Sequence, residues 1–397
     1  MPNGPFVLGV DVGSVSVNIA VLDADKNVVE SKYVRHLGHA NRVSAQTLEE
    51  LLKDFPADQF RLVATTGTGG AVVAEHLNGI VVNEVIAQAI ATGLLEPEAR
   101  SVIDIGGEDS KLVVLRRDDE TGKVGVADFA MNTMCAAGTG SFLDQQASRL
   151  GLSIEEFGTL ALQSESPPRV AGRCSVFAKS DMIHLQQKAT PTKDIVAGLC
   201  FALARNFRST VGSSAEMMAP VSFQGGVAAN PGIARAMQSV LELGDDEFII
   251  PEHHGAMGAI GAAAMAMDEG DQSTPNLSAE TLEKLATYEG ATNRVTLDPL
   301  KIEKSTIGVG EVVPVDTPSN GGKVPAYLGV DIGSISTNVV VINLHGQVVA
   351  KRYLMTAGQP IEAVRTGLRE VGEELAHLVD IRGACTTGSG RYLIADF

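Results

Sequence analysis

Apolar positions dominate the first thirty-odd residues in short runs: Phe6 to Val34 alternates or runs apolar and is broken by turn residues near Gly13 and near Asp25 to Asn27. That pattern predicts three antiparallel strands. Helical spacing follows near Ser44 to Lys53 and Gly70 to Leu77, and Ser101 to Ile105 predicts a further strand. Leu143, Ala147 and Leu150 share one face of a predicted helix over Ser141 to Leu150, with Gly151 as its stop signal. Ala178, Met182 and Leu185 form a common stripe on a helix that follows Cys174 and runs to about Gln187. Gly232 to Val240 and the Ala/Gly-rich Gly255 to Met267 also read as helices, the latter well short of the roughly 20 residues that span a bilayer. Meandering strands interleaved with helices make an α/β protein.

The pattern then repeats. LGVDVGSVSVNIAVLDADKNVV from Leu8 recurs as LGVDIGSISTNVVVINLHGQVV from Leu328, and VATTGTGG from Val63 is answered by ACTTGSGR from Ala384. A repeat longer than about 50 residues is a duplicated domain and not a solenoid module. The expected organisation is therefore a complete first domain over 1–270, a linker over 271–325, and the first part of a second copy over 326–397. In the linker Gly, Pro, Ser and Thr accumulate, as in TPSNGGKVP, around one short predicted helix near Ser278 to Tyr288. The natural protein is expected to continue beyond Phe397. Without counterparts of DIGGEDSK and GGVAAN, the partial copy is expected to have no activity of its own.

Composition narrows the class. With 397 residues, 44% hydrophobic and 20% charged, the chain reads as a folded multidomain protein. A net charge of -17, without any Lys/Arg cluster interleaved with aromatics, argues against nucleic acid as a partner. No basic stretch with an apolar core follows Met1, so a cytoplasmic protein that does not engage membranes is expected. Four cysteines are too few for a disulfide scaffold, which leaves metal binding or burial.

Three glycine loops carry the candidate chemistry. Asp11-Val12-Gly13-Ser14 ends a strand at a tight turn and leads into another strand, which excludes a dinucleotide-binding fingerprint. Gly13 lets backbone N–H groups approach phosphate oxygens, Ser14 and Ser16 add hydroxyls, and Asp11 could hold a hydrated magnesium ion. Alone, such a turn reads first as a plain hairpin. The run Asp104-Ile105-Gly106-Gly107-Glu108-Asp109-Ser110-Lys111 repeats the plan of strand, carboxylate and paired glycines, and two such hairpins can clamp a polyphosphate. In the third, Gly225-Gly226-Val227-Ala228-Ala229-Asn230-Pro231 precedes a helix and offers bare backbone to an adenosine; Gly67-Thr68-Gly69-Gly70 adds a further loop near the phosphates. In this order the loops resemble those of acetate kinases, sugar kinases, Hsp70 and actin. That resemblance implies a ribonuclease H-like ATPase fold with nucleotide between lobe I, about 1–100 plus 254–270, and lobe II, about 101–253.

Cys135 and Cys174 each stand just before a predicted helix start, where the partial positive charge of the N-terminus lowers a thiol pKa. Two thiolates do not complete the four-cysteine set of a 4Fe-4S cluster, although a two-fold dimer would supply four. Spacing alone leaves both readings open: a shared cluster, or two buried small hydrophobes. Cys200 shares a helical stripe with Val196 and Leu203, and Cys385 corresponds to Ala64 in the first copy; both read as packing residues. His184, His253 and His254 read as structural or surface residues.

The combination DVGS, DIGGEDSK, NTMCAAGTGSFLDQQA, GRCSVFAKSD and GGVAANPG, within Leu8 to about Met267, resembles the activators of 2-hydroxyacyl-CoA dehydratases and the ATPase subunits of benzoyl-CoA reductase. The duplicated unit resembles large fused activases. That resemblance implies a homodimer, or a pseudo-dimer in a longer chain, holding one 4Fe-4S cluster through Cys135 and Cys174 of each protomer. It implies ATP and Mg2+ as cofactors, with Asp11, Asp104 and Glu108 catalytic and Gly13, Ser14, Ser16, Gly67, Gly69, Gly106, Gly107, Asp109, Lys111, Gly138, Thr139, Gly140, Gly225, Gly226 and Asn230 around the nucleotide. Its partners would be an acyl-CoA dehydratase or reductase, fed one electron at a time, and a reduced ferredoxin or flavodoxin as donor. The protein would be brown and oxygen-sensitive. Four positions depart from the family pattern: Glu108 for Gln, Gln88 for His, Gly70 for Arg and Lys179 for Glu. Two other readings fit the loops: a small-molecule kinase of the same fold, indifferent to Cys135→Ser, and a nucleotide-dependent scaffold without a cluster.

Overall fold

The computed structural model describes residues 4–118, 121–132, 138–172, 175–270, 274–289, 312–316, 321–333, 336–356, 359–388 and 390–395. The chain divides into two compact units, Met1–Tyr288 and Glu289–Phe397.

The first unit opens with the predicted meander: β1 (Phe6–Val12), β2 (Ser16–Leu22) and β3 (Val28–Arg35). β1 pairs antiparallel with β2 and parallel with β4 (Phe60–Thr66), and β5 (Ile80–Val81) completes a sheet in the order β3-β2-β1-β4-β5. Side chains alternate across a strand. Phe6, Leu8, Val10 and Val12 therefore pack on one face with α1 (Ala40–Leu51), α2 (Gly70–Leu77) and α10 (Ala279–Ala286), while Val7 and Ala20 meet α9 (Met257–Glu269) on the other. Because both faces are covered, β1 and β2 are buried at every position, which is why they read as nearly continuous apolar runs. α9 lies unusually close. A Cβ on Gly9 would come within 1.9 Å of the Ala259 carbonyl oxygen, and one on Gly261 within 1.7 Å of that of Ala87 on α3 (Glu84–Leu95). Only the Ala/Gly composition of α9 permits that approach.

A second sheet, in the order β10-β9-β6-β7-β8, combines β6 (Ser101–Ile105), β7 (Ser110–Arg117), β8 (Val124–Asn132), β9 (Val221–Gln224) and β10 (Phe248–Ile249). Its core packs Ile103 and Ile105 with side chains of α4 (Gly140–Leu150), α5 (Ile154–Leu162), α6 (Ser175–Gln187), α7 (Thr192–Thr210) and α8 (Pro231–Leu241), among them Leu143, Ala147, Ala178 and Met182 of the predicted stripes. α3 passes from the first sheet to the second, packing along α9 and against β8. α1 begins four residues before the periodicity suggests. α10, within the stretch that reads as linker, buries Leu282 and Leu285 in the core of the first unit.

The second unit repeats the first meander. β11 (Val324–Ile332), β12 (Ser336–Asn343), β13 (Val348–Met355) and β14 (Val379–Gly388) form a sheet in the order β13-β12-β11-β14, with α11 (Pro360–Leu375) on one face. Detail is preserved as well. Asp11 faces Asn18 and accepts its Nδ2–H at 3.1 Å; Asp331 faces Asn338 and accepts at 3.3 Å. The packing role expected for Cys385 does not hold, because that thiol is exposed, whereas Cys200 is buried on α7 as expected. Cys385 lies opposite Gly329 as Ala64 lies opposite Gly9, but α9 covers Ala64, and the second unit has no counterpart of α9 among the described residues.

Candidate functional site

The two sheets of the first unit put their strand ends at one cleft, about 350 Å³ in volume. Asp11, Gly13, Ser14 and Ser16 reach it from the β1–β2 turn; Asp104, Gly106, Gly107, Glu108 and Asp109 reach it from the β6–β7 turn; Gly225, Gly226 and Asn230 come from the loop after β9. Gly140, at the start of α4, also lines it. Gly67, Gly69, Gly138 and Thr139 stand behind the wall, Gly67 under the first loop as Gly225 is under the second. Gly67 and Gly225 have φ of +79° and +86°, and a Cβ on them would come within 2.5 Å of an Asp11 or Asp104 carboxylate oxygen respectively. Glycine there lets the backbone buttress each carboxylate. Gly69 packs on Val12, and Gly138 lies beside Asn132 and Asn206. Thr139 is buried at the N-cap of α4. Cys135 and Cys174 lie outside the described residues.

Lys111 does not reach the cleft wall. Its ammonium is enclosed by Glu84 at 2.9 Å, Asp109 at 2.9 Å and Asp104 at 3.4 Å, and its side chain is 2% exposed. One cation thus holds carboxylates from α3, β6 and the β6–β7 turn. Burial, followed by Glu84, pushes the Asp11 carboxyl up to about 7. Burial likewise dominates at Asp104, raising it to about 6 even though Lys111 pulls the other way. A floor so poor in positive charge favours a divalent cation. Among the described residues, two buried polar atoms on the wall have no partner: Asn18 Oδ1, whose amide nitrogen binds Asp11, and Asn230 Nδ2, whose oxygen caps α8. The first suits a hydrogen from a metal-bound water, the second a ligand acceptor, so these residues fit a metal–nucleotide complex. Among the described residues no group of three or more His, Cys, Asp and Glu forms a metal site.

Tyr33 and Arg35 on this wall, and Ser31 and His36 beside it, were not singled out from sequence. Along β3 the side chains of Ser31, Tyr33 and Arg35 share one face: Ser31 Oγ meets His253 Nδ1 at 3.0 Å, Tyr33 stands against Gly226 and Gly255, and Arg35 pairs with Asp144 of α4. Their period-two polar spacing on an edge strand beside the first loop is a signal that could have found them. His36 Nε2 lies 3.1 Å from the Gly13 carbonyl, while Nδ1 accepts from Gly38 N–H at 3.1 Å; the ring proton therefore sits on Nε2 and donates to the turn. His254 Nδ1 donates to the Gly225 carbonyl, so this histidine, read as structural or surface, fixes the third loop and lines the cleft. Below, Gln88 and Gln224 hydrogen-bond to each other and join Thr92 and Ser222, tying α3 to β9.

The sequence profile of the BadF/BadG/BcrA/BcrD ATPase family matches residues 8–266. The chain belongs to this family. Among its relatives is the 2-hydroxyisocaproyl-CoA dehydratase activator of Clostridioides difficile, 32% identical over 271 residues, which cover 68% of this chain and 97% of that protein. The solved structure of the activator of the 2-hydroxyisocaproyl-CoA dehydratase from Clostridium difficile with bound ADPNP superposes with a TM-score of 0.60 at 31% identity, covering 66% of this chain and 95% of that one. Component A of the (R)-2-hydroxyglutaryl-CoA dehydratase of Acidaminococcus fermentans gives 0.61 at 28% identity, covering 66% and 98%. The fold of this BadF/BadG/BcrA/BcrD ATPase is thus the two-lobed acetate kinase, sugar kinase, Hsp70 and actin type, with the second-unit sheet appended as a partial copy. No helix among the described residues is long and apolar enough to cross a membrane.

Proposed function

We propose that this ATPase is an activator that hydrolyses ATP to drive single electrons onto a partner acyl-CoA dehydratase or reductase. The observation that carries this reading is the convergence of Asp11 and Asp104, each at a glycine turn, on one cleft in a chain whose named relatives are dehydratase activators. In this reading the Gly13–Ser14 and Gly106–Gly107 turns hold the phosphates, Ser16 and Asp109 flank them, and Asp11 and Asp104 organise hydrated Mg2+. Glu108, exposed on the second loop, faces the attacking water. Adenosine lies against the Gly225–Gly226 backbone, with Asn230 Nδ2 as a donor.

Cys135 follows β8 in the chain and Cys174 immediately precedes α6. Two thiolates per chain match half the ligands of a 4Fe-4S cluster, so the donor set fits a cluster shared by two copies of the protein. Such a cluster, when bound, supplies storage for one electron, delivered by reduced ferredoxin or flavodoxin. The domain over 1–270 carries the activity, and the partial copy has none alone. Purification without oxygen tests the proposal: iron and sulfide of about two each per chain are expected for wild type, with loss of both in Cys174→Ser. Equal iron in the two proteins overturns the assignment.

A further inference from the structure

We infer that Arg35 is a phosphate-contacting residue of the cleft, held in reach by Asp144. The inference rests on the nucleotide reading above and starts from charge. Among the described residues that line the cleft, seven are carboxylates and Arg35 is the sole lysine or arginine. Lys111, the other basic residue of the loops, has its ammonium enclosed by carboxylates on three sides. Among the described residues, the side-chain cation that a polyanion entering this cleft meets is Arg35.

Its position suits that task. Arg35 lies directly across the β2–β3 ladder from Ser16, so the two side chains share a face beside the first glycine turn. The next residue, His36, fastens that turn through Gly13. Asp144 approaches from the other lobe, one turn into α4, whose first N–H groups bind the second loop: Gly140 donates to the Gly106 carbonyl and Ser141 to that of Gly107, each at 2.9 Å. The Arg35–Asp144 pair therefore stands where both phosphate turns meet. Asp144 takes a two-pronged contact, with Nη1 to Oδ1 at 3.2 Å and Nη2 to Oδ2. A guanidinium has five N–H donors in a planar fork, so three remain after Asp144 is served. Both side chains keep about a third of their surface exposed, 38% and 34%, and remain accessible to a ligand. An exposed pair contributes little to stability by itself. Pre-orienting the fork for phosphate gives it a use.

Calorimetric titration of the full chain with Mg-ATP and, separately, adenosine tests this in wild type, Arg35→Gln, Arg35→Lys and Asp144→Asn. Arg35→Gln is expected to weaken ATP by about tenfold or more, the loss of one charge-assisted hydrogen bond, and to leave adenosine unchanged. Arg35→Lys recovers part of the loss, since charge remains without the fork, and Asp144→Asn weakens ATP less than Arg35→Gln does. ATP affinity unaltered by Arg35→Gln overturns the assignment alone, as does an equal loss for ATP and adenosine, which marks a merely structural role. Wild type that binds no ATP overturns the nucleotide reading and the assignment together.

Discussion

Asp11 shows how far a single residue carries the account. Its carboxyl is buried beside Glu84 and Asp104 and rises from 3.8 to about 7. A carboxylate raised on folding costs more as it ionises, so metal-free stability should be highest below pH 3.8 for this group and should fall as pH climbs through about 7. In chelator-treated protein, urea unfolding from pH 4 to 8 should therefore show a steeper decline for wild type than for Asp11→Asn. Parallel slopes would show that the site does not bear that charge. Asp11 and Asp104 were legible because each ends an apolar strand just before glycine, where backbone must turn. Tyr33 and Arg35 were not, because their significance lies in what distant segments of chain place against them: Gly226 and Gly255 for one, Asp144 for the other. The resemblance sets Lys111 beside the nucleotide, but Glu84, which comes from α3 and is remote in the chain, joins Asp104 and Asp109 of its own hairpin in enclosing it.

Among elements, α3, β6 and β7 are bound by that buried lysine. Lys111→Met leaves Glu84, Asp104 and Asp109 without their cation, and removing one partner of a buried ionic group costs about 3–5 kcal/mol. A fall in unfolding free energy of that size is expected; a change below about 1 kcal/mol, the scale of an exposed pair, would contradict the geometry. Close approach governs α9, where Gly261→Val must push against the Ala87 backbone. Overpacking of this kind costs about 1–3 kcal/mol or more, so the variant should melt several degrees lower, whereas a melting temperature equal to wild type would place α9 farther from α3. The meander and α9 were visible as runs and composition. α3 escaped notice because a helix that crosses from one sheet to the other is buried on several sides and shows little amphipathic contrast.

At the scale of the molecule, the duplication is the feature most fully written in the sequence, down to the Asp–Asn pair that recurs in both units. What the second copy exposes was not visible, since Cys385 occupies the place of a buried alanine. Burial pushes the Cys200 thiol up to about 12 and keeps it protonated, while Cys385 is open to solvent. In native protein a thiol reagent should thus modify Cys385 readily and Cys200 only on unfolding; mass mapping that finds Cys200 modified first would refute that arrangement. The proposed function makes one central claim: nucleotide in the cleft governs the energy of an electron held through Cys135 and Cys174. Anaerobic redox titration of the full chain with and without Mg-ATP measures it directly. The account predicts a one-electron transition whose potential falls when Mg-ATP is present, by ~59 mV for each ~1.4 kcal/mol of coupling. A potential identical in both conditions, or protein with no redox transition at all, would contradict it.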